Sequence, residues 1–207
     1  MQPIKNIIFD LGGVIMNIDN QLTEDAFVKM GATDFRNYFG HGFADSFFMD
    51  YESGKIPDHQ FIHDLRKMIL VSHSDDAIIA AWNALLLDFP PERIELLKAL
   101  KKQYRLFLLS NTNALHMTSF QKIYADHFGS EKLDDHFERT YYSHLIGHRK
   151  PDRESYRLII DENQLTPEET LFVDDAKINI EGALAVGLQG LFLQPGMTIT
   201  NLKWNSI

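Results

Sequence analysis

Apolar and polar positions along this chain follow two patterns, one typical of buried strands and the other of helices. Short apolar runs bounded by polar or turn residues predict five strands. These runs cover residues 4–9, 104–109, 137–142, 169–173 and 190–193. Helical spacing covers residues 92–102, 114–127, 151–160 and 178–186. Because strands and helices alternate after residue 92, the pattern predicts an α/β fold with a parallel sheet.

The segment after the first strand has a different pattern. From about Asn20 to Leu87 the apolar residues recur at helical spacing, as Phe61 and Leu65 do, and Pro90 marks the end of this segment. We therefore predict an all-helical insert between the first strand and the rest of the sheet. Three aromatic residues and a methionine are predicted to pack between its helices, namely Phe43, Phe47, Phe48 and Met49.

Polar side chains follow four of the predicted strands at the points where the strands end. They are Asp10 after the first, Ser110 and Asn111 after the second, Lys150 shortly after the third, and Asp174 and Asp175 after the fourth. In an open α/β sheet the ligand crevice lies at the carboxyl ends of the strands. We therefore expect these side chains to meet at one edge of the sheet.

The grouping of these acids with a lysine indicates a metal ion and an anionic substrate. Carboxylates about 4 Å apart repel by roughly 4 kcal/mol per pair at an effective dielectric near 20, and one lysine relieves only part of this repulsion. A divalent cation bound between the carboxylates would offset the remaining repulsion, and oxygen ligands favour Mg²⁺. A carboxylate held ionised beside Mg²⁺ and Lys150 is able to attack an electrophile such as a phosphoryl group. Ser110 and backbone amides could then hold the phosphoryl oxygens.

Composition narrows the range of functions further. The 207 residues include 20 basic and 29 acidic ones, and the net charge of −9 makes a nucleic-acid partner unfavourable. Absence of cysteine excludes a thiol nucleophile and a thiolate metal site. No apolar stretch has the length that a bilayer requires, and the first residues lack the pattern of a signal peptide. We expect a cytoplasmic protein without a membrane partner, either a monomer or a homodimer.

Four motifs, in this order, resemble those of the haloacid dehalogenase superfamily of hydrolases. They are FDLGGV at residues 9–14, LLSNTN at 108–113, RKP at 149–151 and VDDAKINIEGA at 173–183. Each motif alone is weak evidence, whereas four in order around a helical insert are specific. GKIPDHQF at residues 54–61 and GHRKPDRESY at 147–156 resemble more closely the helical-cap branch that includes bacterial α-glucose-1-phosphate phosphatase.

The resemblance implies a Rossmann-like three-layer core with an inserted, mobile helical cap. We expect residues 1–16 and 89–207 to form the core and residues 17–88 to form the cap. The implied activity is Mg²⁺-dependent hydrolysis of a phosphomonoester through an aspartyl-phosphate intermediate. A small phosphorylated metabolite is the expected substrate, with sugar phosphates among the candidates.

The resemblance also implies roles for individual residues. Asp10 would be the nucleophile, with Ser110 and Lys150 as the other catalytic residues. Those two residues and Asn111 would bind the substrate. The metal ligands would be Asp10, the main-chain carbonyl of Gly12, Asp174 and Asp175.

Gly12 departs from the commonest form of the first motif. Most phosphatases of the superfamily carry a second aspartate at this position, where it acts as general acid and base. Losing such a group costs about 10²–10⁴ in rate, although a good leaving group reduces the need for it. Asp19 is an alternative acid. Two other functions stay open on this sequence: a 2-haloacid dehalogenase and a non-catalytic binding protein.

Overall fold

The computed structural model describes residues 3–35, 46–70 and 72–204, and in these ranges one sheet of five parallel strands forms the centre of the molecule. The strands are β1 Asn6–Phe9, β2 Arg105–Ser110, β3 Arg139–Tyr142, β4 Thr170–Asp174 and β5 Gln189–Phe192. Their order across the sheet is β3-β2-β1-β4-β5, so β1 lies at the centre between β2 and β4. The predicted α/β fold with a parallel sheet is confirmed.

Helices lie between each strand and the next along the chain. They are α1 Asn20–Lys29, α2 Ser46–Glu52, α3 Asp58–Ile69, α4 Asp75–Trp82, α5 Pro91–Leu100, α6 Ala114–Phe128, α7 Ser143–Ile146, α8 Arg153–Asn163 and α9 Lys177–Leu184. In the described ranges, no helix is both long and apolar enough to span a bilayer.

The two faces of the sheet bury alternate residues of each strand, which produces three layers. Ile7, Leu106 and Leu171 pack in one cluster with α5 and α6, whereas Ile8 and Phe107 pack in the other with α8 and α9. Strands buried on both faces read as continuous apolar runs. This explains why the strands could be predicted from the apolar runs in the sequence.

Most helix ends differ from the prediction by one to three residues, and two differences in the helical pattern have a local cause. Helix α8 begins at Arg153 rather than at residue 151, because Asp152 has an extended backbone and precedes the helix as its cap residue. Helix α7 was not predicted, since its four residues are too few to show a helical period.

Helices α1–α4 surround an aromatic core of their own. Phe48, Phe61 and Trp82 are buried there, and the Phe48 and Trp82 rings stack with centroids 5.6 Å apart. Phe47 stacks on Phe61 at 5.0 Å, while Phe43 lies outside the described residues. The insert therefore has a hydrophobic cluster separate from the two clusters of the sheet. The boundaries at residues 16 and 88 remain a prediction.

The two chain segments that join the insert to the sheet lie side by side. The amide of Asn17 donates to the carbonyl of Asp88 at 2.8 Å, and the amide of Leu87 donates to the carbonyl of Asn17 at 3.1 Å. Ile18 and Leu86 form an antiparallel bridge next to this pair. The insert is thus attached through a short paired connection close to the end of β1.

A second attachment involves a buried histidine. His116 stacks on Trp82 with centroids 4.9 Å apart, and its Nε2 lies 3.2 Å from the Trp82 carbonyl. The Asn113 side-chain oxygen accepts from the His116 amide, so its NH₂ group donates to His116 Nδ1 at 3.0 Å. With Nδ1 as acceptor, Nε2–H must donate to Trp82, and the ring is neutral. Burial lowers the pKa of His116 to about 4, and the Trp82 carbonyl opposes this shift.

His116 should make folding sensitive to acid. Its folded-state pKa lies below the ordinary value near 6.5, so its contribution to stability is present above pH 6.5 and is lost as the pH falls towards 4. Urea unfolding of His116→Gln should show an advantage of the wild type that shrinks by about 3 kcal/mol between pH 7 and pH 4. His127→Gln, on the exposed side of the same helix, is the control. A pH-independent difference between wild type and His116→Gln would contradict this prediction.

Candidate active site

The sheet brings the polar residues at its strand ends to one edge. Asp10 directly follows β1, Ser110 ends β2 and Asp174 ends β4. The amide of Asp10 continues the ladder beyond β1 by donating to Val173 at 2.9 Å. Because β1 lies between β2 and β4, Asp10 stands between Ser110 and Asp174.

Three carboxylates converge at this edge. Asp10, Asp174 and Asp175 each offer one oxygen, and these oxygens lie within 4.8 Å of one another. Asp10 and Asp174 are buried, whereas Asp175 is exposed. Burial, and then Asp174 and Asp175, raise the pKa of Asp10 to about 7, although Lys150 opposes the rise. Burial and Asp174 likewise raise the pKa of Asp175.

This donor set fits a hard divalent cation. All three side chains supply oxygen, and the charges of Asp174 and Asp175 add to the larger effect of burial in raising the pKa of Asp10. Mg²⁺ is commonly bound by a few carboxylates and keeps its remaining positions for water and substrate oxygens. The exposed position of Asp175 leaves one side of the cluster open for such ligands.

Lys150 lies inside the carboxylate cluster. Its side chain is 2% exposed, and its ammonium group donates to Asp10 Oδ1 and, at 2.7 Å, to Asp174 Oδ2. Burial opposes the charge of the lysine, but Asp10 and Asp174 outweigh this effect and raise the pKa of Lys150. The lysine is therefore a fixed positive charge between two of the three acids.

Asn111 holds the backbone of Lys150 from the β2 side. The Lys150 amide donates to Asn111 Oδ1 at 2.8 Å, and Asn111 Nδ2 donates to the Lys150 carbonyl at 2.8 Å. Both polar atoms of the Asn111 side chain are thus used on one residue. The structure brings Asn111 to the site, where its visible contacts are with Lys150.

Asp174 is also held on its outer side. Its Oδ1 accepts from the amide of Ala176 at 2.7 Å, and Asn179 Nδ2 lies 3.1 Å from both carboxylate oxygens. The bond to the Ala176 amide turns the chain towards α9. The structure shows that Asp174 makes that turn and contacts Lys150 at the same time.

The two glycines after Asp10 have different surroundings. Gly13 has φ +76°, and a Cβ atom there would collide with the carboxylate of Asp175. Gly12 faces Ile18, whose Cδ1 would be 3.1 Å from a Cβ atom at position 12. Gly12 and Ser110 line one small cavity of about 70 Å³ together with Ile18 and other side chains. Ile18 therefore occupies space beside the position where the commonest motif has an acid.

Sequence reasoning missed the contact of Gly13 with Asp175 and an ion pair next to Lys150. The pair joins Glu52, at the end of α2, to Arg149 at 2.9 Å. The pair of adjacent glycines could have indicated the contact of Gly13 with Asp175. No sequence pattern connects Glu52 with Arg149, which are 97 positions apart. The exposed Asp19 accepts a hydrogen bond from the amide of Gln21 at 3.0 Å and caps α1.

Known proteins match nearly the whole chain. A sequence model of haloacid dehalogenase-like hydrolases matches residues 4–187. A D-ribitol-5-phosphate phosphatase of Bacteroides thetaiotaomicron is 31% identical over 188 residues, which are 90% of each chain. A sesquiterpene phosphatase of Aspergillus oryzae is 28% identical over 190 residues, covering 91% of this chain and 89% of the relative.

A solved structure has the same architecture. It is a haloacid dehalogenase family enzyme of Bacteroides thetaiotaomicron, the wild-type protein in complex with magnesium and inorganic phosphate. The TM-score is 0.88 at 33% sequence identity, with coverage of 97% of this chain and 99% of the other.

Proposed function

This chain belongs to the haloacid dehalogenase-like hydrolase family, and on that premise we propose that it is a Mg²⁺-dependent phosphomonoester hydrolase. The observation that carries the proposal is the buried lysine within a cluster of three carboxylates. Relatives named as phosphatases and a similar enzyme in complex with magnesium and phosphate support it. The proposed role of the cluster is to bring an anionic phosphate to a carboxylate.

The proposed reaction divides the site residues by task. A carboxylate oxygen of Asp10 bonds to phosphorus as the bond from phosphorus to the ester oxygen breaks, and the ester oxygen leaves with its electron pair and takes up a proton from water. Water then cleaves the aspartyl phosphate, which restores Asp10 and releases phosphate. Lys150 and Ser110 hold the phosphoryl oxygens, and Asn111 holds Lys150. Mg²⁺, bound by Asp10, Asp174, Asp175 and the Gly12 carbonyl, would supply the positive charge that lets the phosphate approach.

The substrate we propose is a small phosphorylated metabolite, with sugar and polyol phosphates as the first candidates. The relative named as a D-ribitol-5-phosphate phosphatase supports this class. Because Gly12 supplies no acid, phosphates on an anomeric oxygen should be hydrolysed faster within this class than phosphates on the more basic primary oxygen of a polyol. We further propose a cytoplasmic protein that is a monomer or a homodimer.

A screen of phosphorylated metabolites tests the proposal. Inorganic phosphate release is measured with Mg²⁺ and with EDTA, using Asp10→Asn as the blank, and 2-haloacids are offered in parallel. Phosphate release that needs both Mg²⁺ and Asp10 supports a phosphatase. Hydrolysis of haloacids in EDTA without phosphatase activity would indicate a dehalogenase. No turnover, together with no capture of beryllofluoride at Asp10, would indicate a non-catalytic protein.

Gly13→Ala should weaken the metal site specifically. The new Cβ atom would collide with Asp175, so this carboxylate must leave its present place in the cluster with Asp10 and Asp174. We expect the dissociation constant for Mg²⁺, measured by calorimetry, to rise about tenfold or more. Gly147→Ala is a matched control, because Gly147 also has a positive φ but has nothing within 4 Å of its Cβ position. Equal Mg²⁺ affinity in the two variants would contradict a role of Asp175 in metal binding.

A further inference from the structure

One ion pair joins the helical insert to the residue before Lys150. Both Nε and Nη2 of Arg149 donate to Glu52 Oε2, at 3.1 and 2.9 Å. The two side chains are 22% and 26% exposed, so most of the pair is removed from water. Burial raises the pKa of Glu52, while Arg149 and then Lys150 act against the rise. The carboxylate of Glu52 thus lies within the field of the lysine as well as of the arginine.

The neighbours of Glu52 contact two other segments that follow strand ends. The hydroxyl of Tyr51 lies 3.4 Å from the amide of Leu115, which belongs to the first turn of α6. Gly54 has φ +69°, and a Cβ atom there would collide with the carbonyl of His144 in α7. This segment, residues 51–54, therefore docks on the chain that follows β2 and on the chain that follows β3. Ser110 is the residue directly before the first of these parts, and Lys150 lies on the second.

From this arrangement we propose that Glu52 is a positioning residue, which acts through Arg149 to hold Lys150 between Asp10 and Asp174. The inference rests on the proposed phosphatase function, since it assigns Glu52 a role in that reaction. Asn111 fixes the backbone of Lys150 from the sheet side, and Glu52 fixes the preceding residue from the insert side. A residue of the insert thereby sets the position of the phosphate-binding lysine.

Electrostatics explain why the pair matters beyond packing. Without the Glu52 carboxylate, Arg149 is a largely buried guanidinium with no charge partner in the pair, one residue away from Lys150. Asp10 and Asp174 contact Lys150 and would attract this second cation. Arg149 would then compete with Lys150 for the same acids, and the lysine ammonium would no longer be held in one position between Asp10 and Asp174.

Glu52→Gln tests the proposal, because glutamine preserves size and removes the charge. We expect kcat for the best phosphomonoester to fall by about tenfold to a hundredfold with little change in KM, since misplacement of a catalytic group by 1 Å has effects of this size. Glu138→Gln is the matched control, as Glu138 also forms a two-bond pair, with Arg105 at 2.6 and 2.8 Å. This control should keep the wild-type kcat.

A double-mutant cycle separates positioning through Arg149 from a general loss of structure. Arg149→Gln removes the competing guanidinium together with the pair, so it should lower kcat less than Glu52→Gln does. The double variant Glu52→Gln/Arg149→Gln should lower kcat by no more than Glu52→Gln alone, because the interaction is already lost in the single variant. Glu52→Asp keeps the charge and should recover part of kcat. Multiplicative losses in the double variant, or no recovery with aspartate, would overturn the proposal.

A measurement without turnover keeps this test independent of the proposed function. The NMR signal of the Lys150 ammonium, assigned by its loss in Lys150→Gln, should shift in Glu52→Gln and stay unchanged in Glu138→Gln. An unchanged signal in Glu52→Gln would overturn the positioning role. If wild-type protein instead hydrolyses no phosphomonoester while the signal shifts, the proposed function fails and the structural link between Glu52 and Lys150 stands.

Discussion

Asp10→Asn should reduce phosphomonoester hydrolysis by at least about 10³-fold, because an amide oxygen is a far weaker nucleophile than a carboxylate. Asparagine has the same shape, so the packing at the end of β1 is preserved. Phosphate release under saturating Mg²⁺ is the measurement. Beryllofluoride, which mimics a phosphoryl group on aspartate, should no longer be retained by this variant.

The loss in Asp10→Asn should be chemical rather than structural. Asp174 still pairs with Lys150 in this variant, and one of three mutually repelling carboxylates is gone. We therefore expect its unfolding temperature without Mg²⁺ to equal or exceed that of the wild type. Asp126→Asn removes an exposed carboxylate that pairs with Lys122 at 2.7 Å, and it should retain full activity. Turnover by Asp10→Asn above a tenth of wild type would refute Asp10 as the nucleophile.

The sheet and its acidic edge were predictable because their causes are local. A strand buried on both faces must be apolar along its length, so the start of a polar segment marks the strand end. Asp10 and Asp174 stood directly at two such ends, and the parallel order β2-β1-β4 then brought them together. Sequence pattern and topology sufficed, and no loop conformation had to be known.

The contacts that support this edge depend on loop conformation and could not be predicted. Asn111 was expected to position its loop or to touch substrate, but the sequence did not indicate its partner, which in the structure is the backbone of Lys150 across 39 positions. The pair of Glu52 and Arg149 needs the docked position of the insert. Periodicity describes which face of an element is buried, but it carries no information on which loops meet.

Lys150→Gln should remove activity and also make the fold depend on metal. Glutamine cannot neutralise Asp10 and Asp174, which are both buried and both contact the lysine ammonium in the wild type. Breaking a buried ion pair by removing one partner costs about 3–5 kcal/mol. We expect a loss of stability of this order in EDTA, measured by urea unfolding at pH 8, and a fall in phosphate release of at least about 10³-fold.

Added Mg²⁺ should restore much of that stability, because a cation then supplies the charge that the lysine supplied. The rise in unfolding temperature on adding Mg²⁺ should therefore be larger for Lys150→Gln than for the wild type. Activity should stay low, since the metal replaces the charge of the lysine but not its contact with the phosphoryl oxygens. Lys122→Gln, on the exposed face of α6, should match the wild type in both measurements. If Lys150→Gln is as stable as wild type in EDTA, the lysine does not offset the repulsion among the three carboxylates, and the charge balance inferred for this site is wrong.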